Sequence, residues 1–354
     1  MPALYSLGQH AALEAVQARL QHNEQLFAFL DDVYVLCRPE RVRTVFEVLR
    51  AEMKHHTGVE LHLGKTKVWN KQGLEPPRVR DLQTKPEEPV WVGDKSLPED
   101  QQGLKVLGTP LGTAAYARKL GEKRLADEKR FWDQLLKLPD LQAAWLLLLH
   151  CAGPRFNYTA RTLPPSLAQA YAEGHDQGVW GVLAKLLGRA DMAEATNSLH
   201  NFLATLPLRL GGCGLRSAKR TSTAAYWASW ADTLPMMQER CPELARLFCE
   251  TLEDGRATAA DCLREARAAR AELVRKGYHE CPTWGAVQAG TRPPTPENPE
   301  PGETAHGWQY FASSRLETTF REDVWNARLD RAQQALLHSQ AGLCAGTHLA
   351  ALPL

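Results

Sequence analysis

The chain has 354 residues, 44% of them hydrophobic, with 10 Trp, 9 Phe and 8 Tyr, which is enough apolar material to exclude wholesale disorder. Its 42 Lys+Arg against 41 Asp+Glu leave a formal charge of +1, which excludes a uniformly basic nucleic-acid glove but not a local basic groove. The eight cysteines show no CxxC spacing, which argues against a zinc knuckle and for reduced thiols in an intracellular protein, nuclear or cytoplasmic. The longest apolar run, 143–149, is far short of the ~20 residues that span a bilayer, and the N-terminal segment lacks the basic and apolar regions of a secretory signal, so no membrane partner is expected.

Residues 8–22 read as a helix, with Ala11, Ala12, Leu13, Ala15, Val16, Ala18 and Leu20 forming an apolar stripe. Two apolar, β-prone runs follow within 26–37 and flank Asp31-Asp32, which predicts a strand–turn–strand unit with the acidic pair at the turn. Pro39 suits the first turn of a helix reaching about His56, buried through Val42, Val45, Phe46, Val48, Leu49 and Met53 and ended by Gly58. Alternation of Val59, Leu61 and Leu63 with Glu60 and His62 predicts a half-buried strand before Lys65-Thr66. Residues 71–103 read as loop, with a short strand at Trp91-Val92-Gly93, and 105–112 as a strand breaking at a tight turn. Helical patterns then dominate, at about 114–137, 139–152, 165–188, 192–204, 217–233, 242–252, 256–276, 308–319 and 321–340. They are interrupted by a glycine-rich loop at 206–215 and a Pro-rich linker at 290–304. The fold class is therefore α+β, a β-hairpin with packed helices followed by a mostly α-helical region. Segments are expected at 1–112, 113–217, 218–289, 290–304 and 305–354.

Adjacent aspartates between apolar strands repel each other, a cost that a bound cation removes; magnesium suits hard carboxylate oxygens and accepts substrate phosphates. The alternative is a plain polar turn, since Asp favours turns. Lys65, just after the predicted strand, could neutralise or protonate a phosphate leaving group, or be a surface lysine like Lys67. Gly108 and Gly112 could let backbone approach a nucleic-acid strand, or simply serve the turn. Lys119, Lys123, Arg124, Lys129 and Arg130 with Phe131 and Trp132, and Arg155, Phe156, Tyr158 and Arg161 further on, could track phosphates and stack bases, or form a solvated amphipathic face. Gly211-Gly212-Cys213-Gly214 lacks the Lys-Ser/Thr of a phosphate loop and reads as a tight connection.

The order of these features is more specific than any one of them. Phe29-Leu30-Asp31-Asp32 between apolar strands resembles the aromatic-x-Asp-Asp motif of reverse transcriptases, and the strand leading to Lys65-Thr66 resembles the motif that follows it. Val106-Leu107-Gly108 with Leu111 and Gly112 is similar to the primer-grip turn, and 206–217 resembles a Pro…Gly-Gly-x-Gly-Leu segment of non-LTR (LINE-like) retrotransposon enzymes. The resemblance covers roughly 1–217. It implies a partial polymerase palm over 1–112, a helical thumb after it, and RNA-directed DNA polymerase chemistry with Mg²⁺. It implies Asp31 and Asp32 as metal ligands and catalytic residues, Lys65 as the general acid, and an RNA template and DNA primer met by Phe29, Leu107, Gly108, Lys123 and Arg124. The family's earlier palm aspartate has no counterpart, because Glu14 and Glu24 are the acidic residues before Phe29. Met1-Pro2-Ala3-Leu4 resembles the end of a Gln-Gly-x-Pro-Leu motif, which implies that an N-terminal polymerase half precedes this chain. The expectation is an impaired polymerase, or a non-catalytic nucleic-acid-binding remnant of a retrotransposon; an unrelated α+β protein would have the acidic pair face open solvent, far from Lys65 and Gly108.

Overall fold

In the computed structural model, which describes residues 2–255, 260–295, 306–342 and 345–351, the chain divides into two units, 1–119 and 120–354. The architecture is α+β and mostly helical, with two two-stranded antiparallel hairpins.

The first unit opens with helix α1 (Pro2–Gln17), followed by β1 (Gln25–Phe29), β2 (Asp32–Leu36) and helix α2 (Val42–Thr57). The helix expected at 8–22 thus lies further toward the N-terminus, while the hairpin appears with Phe29 opposite Asp32. Strand alternation puts Leu26 and Val33 on one face, where they pack with Ala12 and Val16 of α1 and Leu49 and Met53 of α2. The α2 helix ends as expected at Gly58, whose left-handed backbone (φ +70°) lets its N–H reach the Lys54 carbonyl. Val45, Phe46, Leu49 and Met53 are buried there.

The strand expected at 59–63 does not form. Among the described residues, the two strands of the first hairpin pair with each other alone. Leu61 and Leu63 are instead half-buried from irregular backbone, Leu61 against both clusters of the unit and Leu63 against the one that holds Phe46, Val79 and Trp91. A single 3₁₀ turn, Leu63–Lys65, follows and is capped by the His62 side chain. The short strand expected at Trp91 reduces to one parallel bridge with Val68. The tight turn within 105–112 is a full hairpin of β3 (Gly103–Val106) and β4 (Thr109–Gly112).

Helix α3 (Ala114–Leu135) carries the chain into the second unit. There follow α4 (Leu141–Leu147), prolonged by a π-helical turn at Leu148–Ala152, then α5 (Asn157–Thr162), α6 (Pro165–Leu186) and α7 (Leu199–Thr205). The remaining helices are α8 (Ala218–Arg240), α9 (Pro242–Glu253), α10 (Asp261–Arg275), α11 (Trp284–Gln288), α12 (Trp308–Arg328) and α13 (Arg331–Ser339). Small residues on α8, Ala224, Ala228 and Ala231, let neighbours close around the fully buried Trp227, which meets Trp308 and Tyr278 edge-to-face at 5.7 and 5.8 Å. A buried polar knot joins α3 and α6: Glu128 accepts from Tyr171 and lies 2.7 Å from His175 Nδ1.

Several helix boundaries differ from the sequence pattern, α8 for one running on to Arg240 where the pattern predicts an end near 233. The helix expected at 192–204 contracts to α7, which starts where Ser198 accepts from the Asn201 N–H. The break expected near 320 falls at Leu329-Asp330, because Asp330 and Gln333 form a capping box that starts α13. The helix expected from 256 begins at Asp261, residues 256–259 lying outside the described residues. Most of the Pro-rich linker, 296–304, also lies outside them, as does Cys344. The other seven cysteines are free thiols. No helix among the described residues is long and apolar enough to cross a membrane.

Candidate functional site: two joined hairpins

The turn between β1 and β2 is the two-residue loop Leu30-Asp31, so Asp31 sits at the tip and Asp32 opens the second strand. A two-residue hairpin needs a left-handed residue in the loop, and here it is Leu30, at φ +56°. For a leucine this is a strained backbone, of the kind that persists when its surroundings over-determine it. The restraint comes from α1, where buried Gln9 donates its side-chain amide to the Leu30 carbonyl. Both aspartates are exposed. Alternation puts Asp32 on the hairpin face that also carries Phe27, Phe29, Tyr34 and Leu36. That face meets solvent, with Phe29 57% exposed and Phe27 48%. An open aromatic face beside two carboxylates is unusual for a lone hairpin and suits a binding surface.

The second hairpin turns through Leu107-Gly108, at φ +48° and +86°; two successive left-handed residues are what a tight hairpin loop demands, and glycine at the second meets that demand without strain. Tyr34 connects the two hairpins. Its hydroxyl donates to Asp32 Oδ2 at 3.2 Å and accepts from the Leu107 N–H at 3.1 Å. One phenol thus ties the acidic hairpin to the Leu107-Gly108 turn, 73 residues away in sequence.

Asp32, Leu107 and, through the shared turn, Gly108 are therefore brought together, with Phe29 opposite Asp32 in the ladder. Lys65 is exposed, and its N–H makes a local bond to His62 Nδ1 at 3.2 Å. Lys67 Nζ donates to the Pro89 carbonyl at 2.8 Å, and burial pushes its ammonium below the ordinary lysine range. Lys123 and Arg124 belong to the second unit: Lys123 is exposed, and Arg124 donates to the Thr159 hydroxyl at 2.6 Å. Of the other basic residues noted in sequence, Lys119 pairs with Asp100 at 2.7 Å, and Arg155 lies over the Phe131 ring at 4.5 Å. Sequence reasoning missed Gln9 and Tyr34. Tyr34 had a usable signal, since it lies two residues after Asp32 and so shares its strand face; nothing marked Gln9.

A magnesium centre needs more than these two carboxylates. Two-metal phosphoryl transfer requires acidic ligands converging from separate elements. Among the described residues no group of three or more His, Cys, Asp or Glu could hold a metal ion. The upstream acidic residues do not complete a site. Glu14 pairs with His10 at 3.3 Å. Glu24 is buried and accepts from Arg41 at 3.1 and 3.3 Å and from the Gln21 N–H at 2.9 Å, bonds that hold its carboxyl below the usual range. The described residues do not fit a two-metal site.

No protein-family model matches the chain, and no solved structure does. Among curated proteins it is similar to the retrotransposable element SLACS 132 kDa protein of Trypanosoma brucei gambiense, with 26% identity over 231 residues. The aligned stretch covers 64% of this chain and 17% of that protein, so the chain spans less than a fifth of its relative. The relationship is distant, and it is to a retrotransposon protein.

Proposed function

We propose that the chain is a reverse-transcriptase-derived module of a non-LTR retroelement, a palm hairpin, primer-grip turn and thumb that hold an RNA template and DNA primer. The carrying observation is the Tyr34 hydroxyl, bonded at once to Asp32 and to the Leu107 N–H. A polymerase needs its acidic hairpin beside the turn that grips the primer end, and an acidic turn of no function needs no such neighbour. The order of sequence motifs and the distant retrotransposon relative support the same reading. In this reading Phe29 meets a base or sugar, the Leu107-Gly108 backbone approaches the primer 3′ end, and Lys123 and Arg124 reach phosphates. Lys65 is the candidate proton donor on the resemblance alone. Because the acidic donor set is incomplete, the chain by itself holds primer–template without extending it.

Fluorescence anisotropy with an RNA–DNA hybrid bearing a recessed 3′ end tests this. The expected result is salt-sensitive binding, several-fold tighter than to a blunt DNA duplex of equal length. Primer extension with Mg²⁺ and deoxynucleotides is expected to stay at the level of Asp31→Ala. Equal affinity for both nucleic acids, or no binding, would overturn the proposal.

A further inference from the structure

The helical unit contains a cleft of about 410 Å³ that the hairpin reading leaves unused. Its walls bring Arg209, Arg292 and Arg315 together with Tyr278, Trp308 and Phe311. Phe311, Arg315 and Thr318 follow one another at helical spacing on α12, so a single helix face lines one side.

Arg209 arrives on the glycine-rich loop, and the glycines explain how. Gly211 is left-handed (φ +88°), and a Cβ there would lie 2.6 Å from the Leu337 carbonyl of α13. At Gly212 it would lie 2.2 Å from the Leu206 carbonyl. The loop can fold this tightly against α13 and itself only without side chains at those two positions. Arg209, two residues earlier, is thereby left exposed at the cleft.

Charge in the cleft is one-sided. Arg315 lies 3.4 Å from Glu280, itself in the lining, whereas Arg209 and Arg292 have no acidic partner within 4.0 Å among the described residues. Ser314 adds a hydroxyl to the lining, whereas that of Thr318 already donates to the Ser314 carbonyl at 2.9 Å. Phe311 is only half-buried and can offer ring surface to a guest. Guanidinium groups beside an accessible aromatic ring are the pairing that takes a phosphate and its base together. A cleft of this size accepts a small ligand, and a duplex keeps its bases stacked inside.

We propose that this cleft binds single-stranded nucleic acid, seating one nucleotide with its phosphate on Arg209 and Arg292 and its base against Phe311. An acidic peptide would use the arginines and leave the ring idle. The inference goes beyond the hairpin reading: it gives the helical unit a hold on a strand that needs no recessed 3′ end.

Anisotropy with a fluorescent uridine oligonucleotide, lacking any duplex, tests it on the full chain. Arg209→Gln/Arg292→Gln is expected to weaken binding about tenfold and to make the log–log salt slope shallower by roughly 0.7, for the one phosphate charge no longer neutralised. Phe311→Leu is expected to weaken binding at least ~5-fold with the slope unchanged, since stacking carries no counterion release. Recessed-end preference for the hybrid should stay as in the unaltered chain, which separates failure here from failure of the hairpin reading. Arg292→Gln alone, at an exposed position, suffices should the double variant melt early. The proposal is overturned if the strand is not bound, if affinity and slope are unchanged in the variants, or if a poly-glutamate peptide displaces the strand as effectively as unlabelled oligonucleotide.

Discussion

Each unit buries an arginine–glutamate pair, and the two behave in opposite ways. In the hairpin unit, Glu24 has both oxygens engaged, by Arg41 and by the Gln21 N–H, and its carboxyl is held below the usual value. In the helical unit, Glu317 accepts from Arg220 Nε at 2.8 Å through one oxygen, while the other has no hydrogen-bond partner among the described residues. Burial there outweighs the attraction of Arg220, Arg216 and Arg209, and the Glu317 carboxyl is raised. The lesson is that pairing alone does not stabilise a buried charge; the count of satisfied lone pairs against the depth of burial decides the sign.

The largest expected effect comes from breaking the deeper pair. Arg220 also donates to the Thr205 carbonyl at 2.8 Å and lies over the Phe320 ring at 4.0 Å. Arg220→Ala strands Glu317 in the interior and should cost about 3–5 kcal/mol by urea denaturation; a loss under about 1 kcal/mol would show that water already reaches that carboxylate.

Acidification should next separate the pairs. Glu24, with its folded value lowered from 4.5, contributes stability that is present above 4.5 and lost as pH falls through the folded value. Glu317, raised from 4.5, is protonated more readily in the folded state, so its contribution grows as pH falls from the raised value toward 4.5. Thermal melts against pH are expected to show the advantage of the unaltered chain over Glu24→Gln shrinking in acid. Its balance against Glu317→Gln should improve over the higher window. Parallel curves for both variants would contradict the contrast.

Two smaller changes address the hairpins. Tyr34→Phe removes the bridge to Asp32 and Leu107 and should cost about 1 kcal/mol of local stability, read by hydrogen exchange at the Leu107 amide. Unchanged protection there would mean that the two hairpins are held together by other contacts. Leu30→Gly relieves the left-handed leucine and should raise stability by under about 1 kcal/mol, provided the Gln9 bond persists. A loss of stability would show that the leucine side chain contributes more than its backbone costs.

The legible parts of the fold are those set by local periodicity and punctuation. Apolar runs around Asp31-Asp32 mark the first hairpin, and Gly58 marks the end of α2, because both signals act within a few residues. The pattern at 59–63 misleads because irregular backbone half-buries Leu61 and Leu63 as a strand would, while Val59 is left exposed. The end of α12 escapes the pattern because apolar spacing does not show a capping box. At the candidate site, the aspartates and the Leu107-Gly108 turn stand out by residue type. Their junction does not, since it depends on a tyrosine bonding 73 residues ahead. Nor can sequence show that Arg41 occupies Glu24 and so removes it as a ligand.

The central claim is that the joined hairpins hold the primer end. A DNA primer ending in 4-thiothymidine, annealed to an RNA template and irradiated with the chain, tests this most directly by mass-spectrometric mapping of the crosslinked peptide. Crosslinks are expected on the β1–β2 face around Phe29 or on the Leu107-Gly108 turn, diminished in Tyr34→Phe. Crosslinks confined to residues beyond 120, with both hairpins unlabelled, would contradict it.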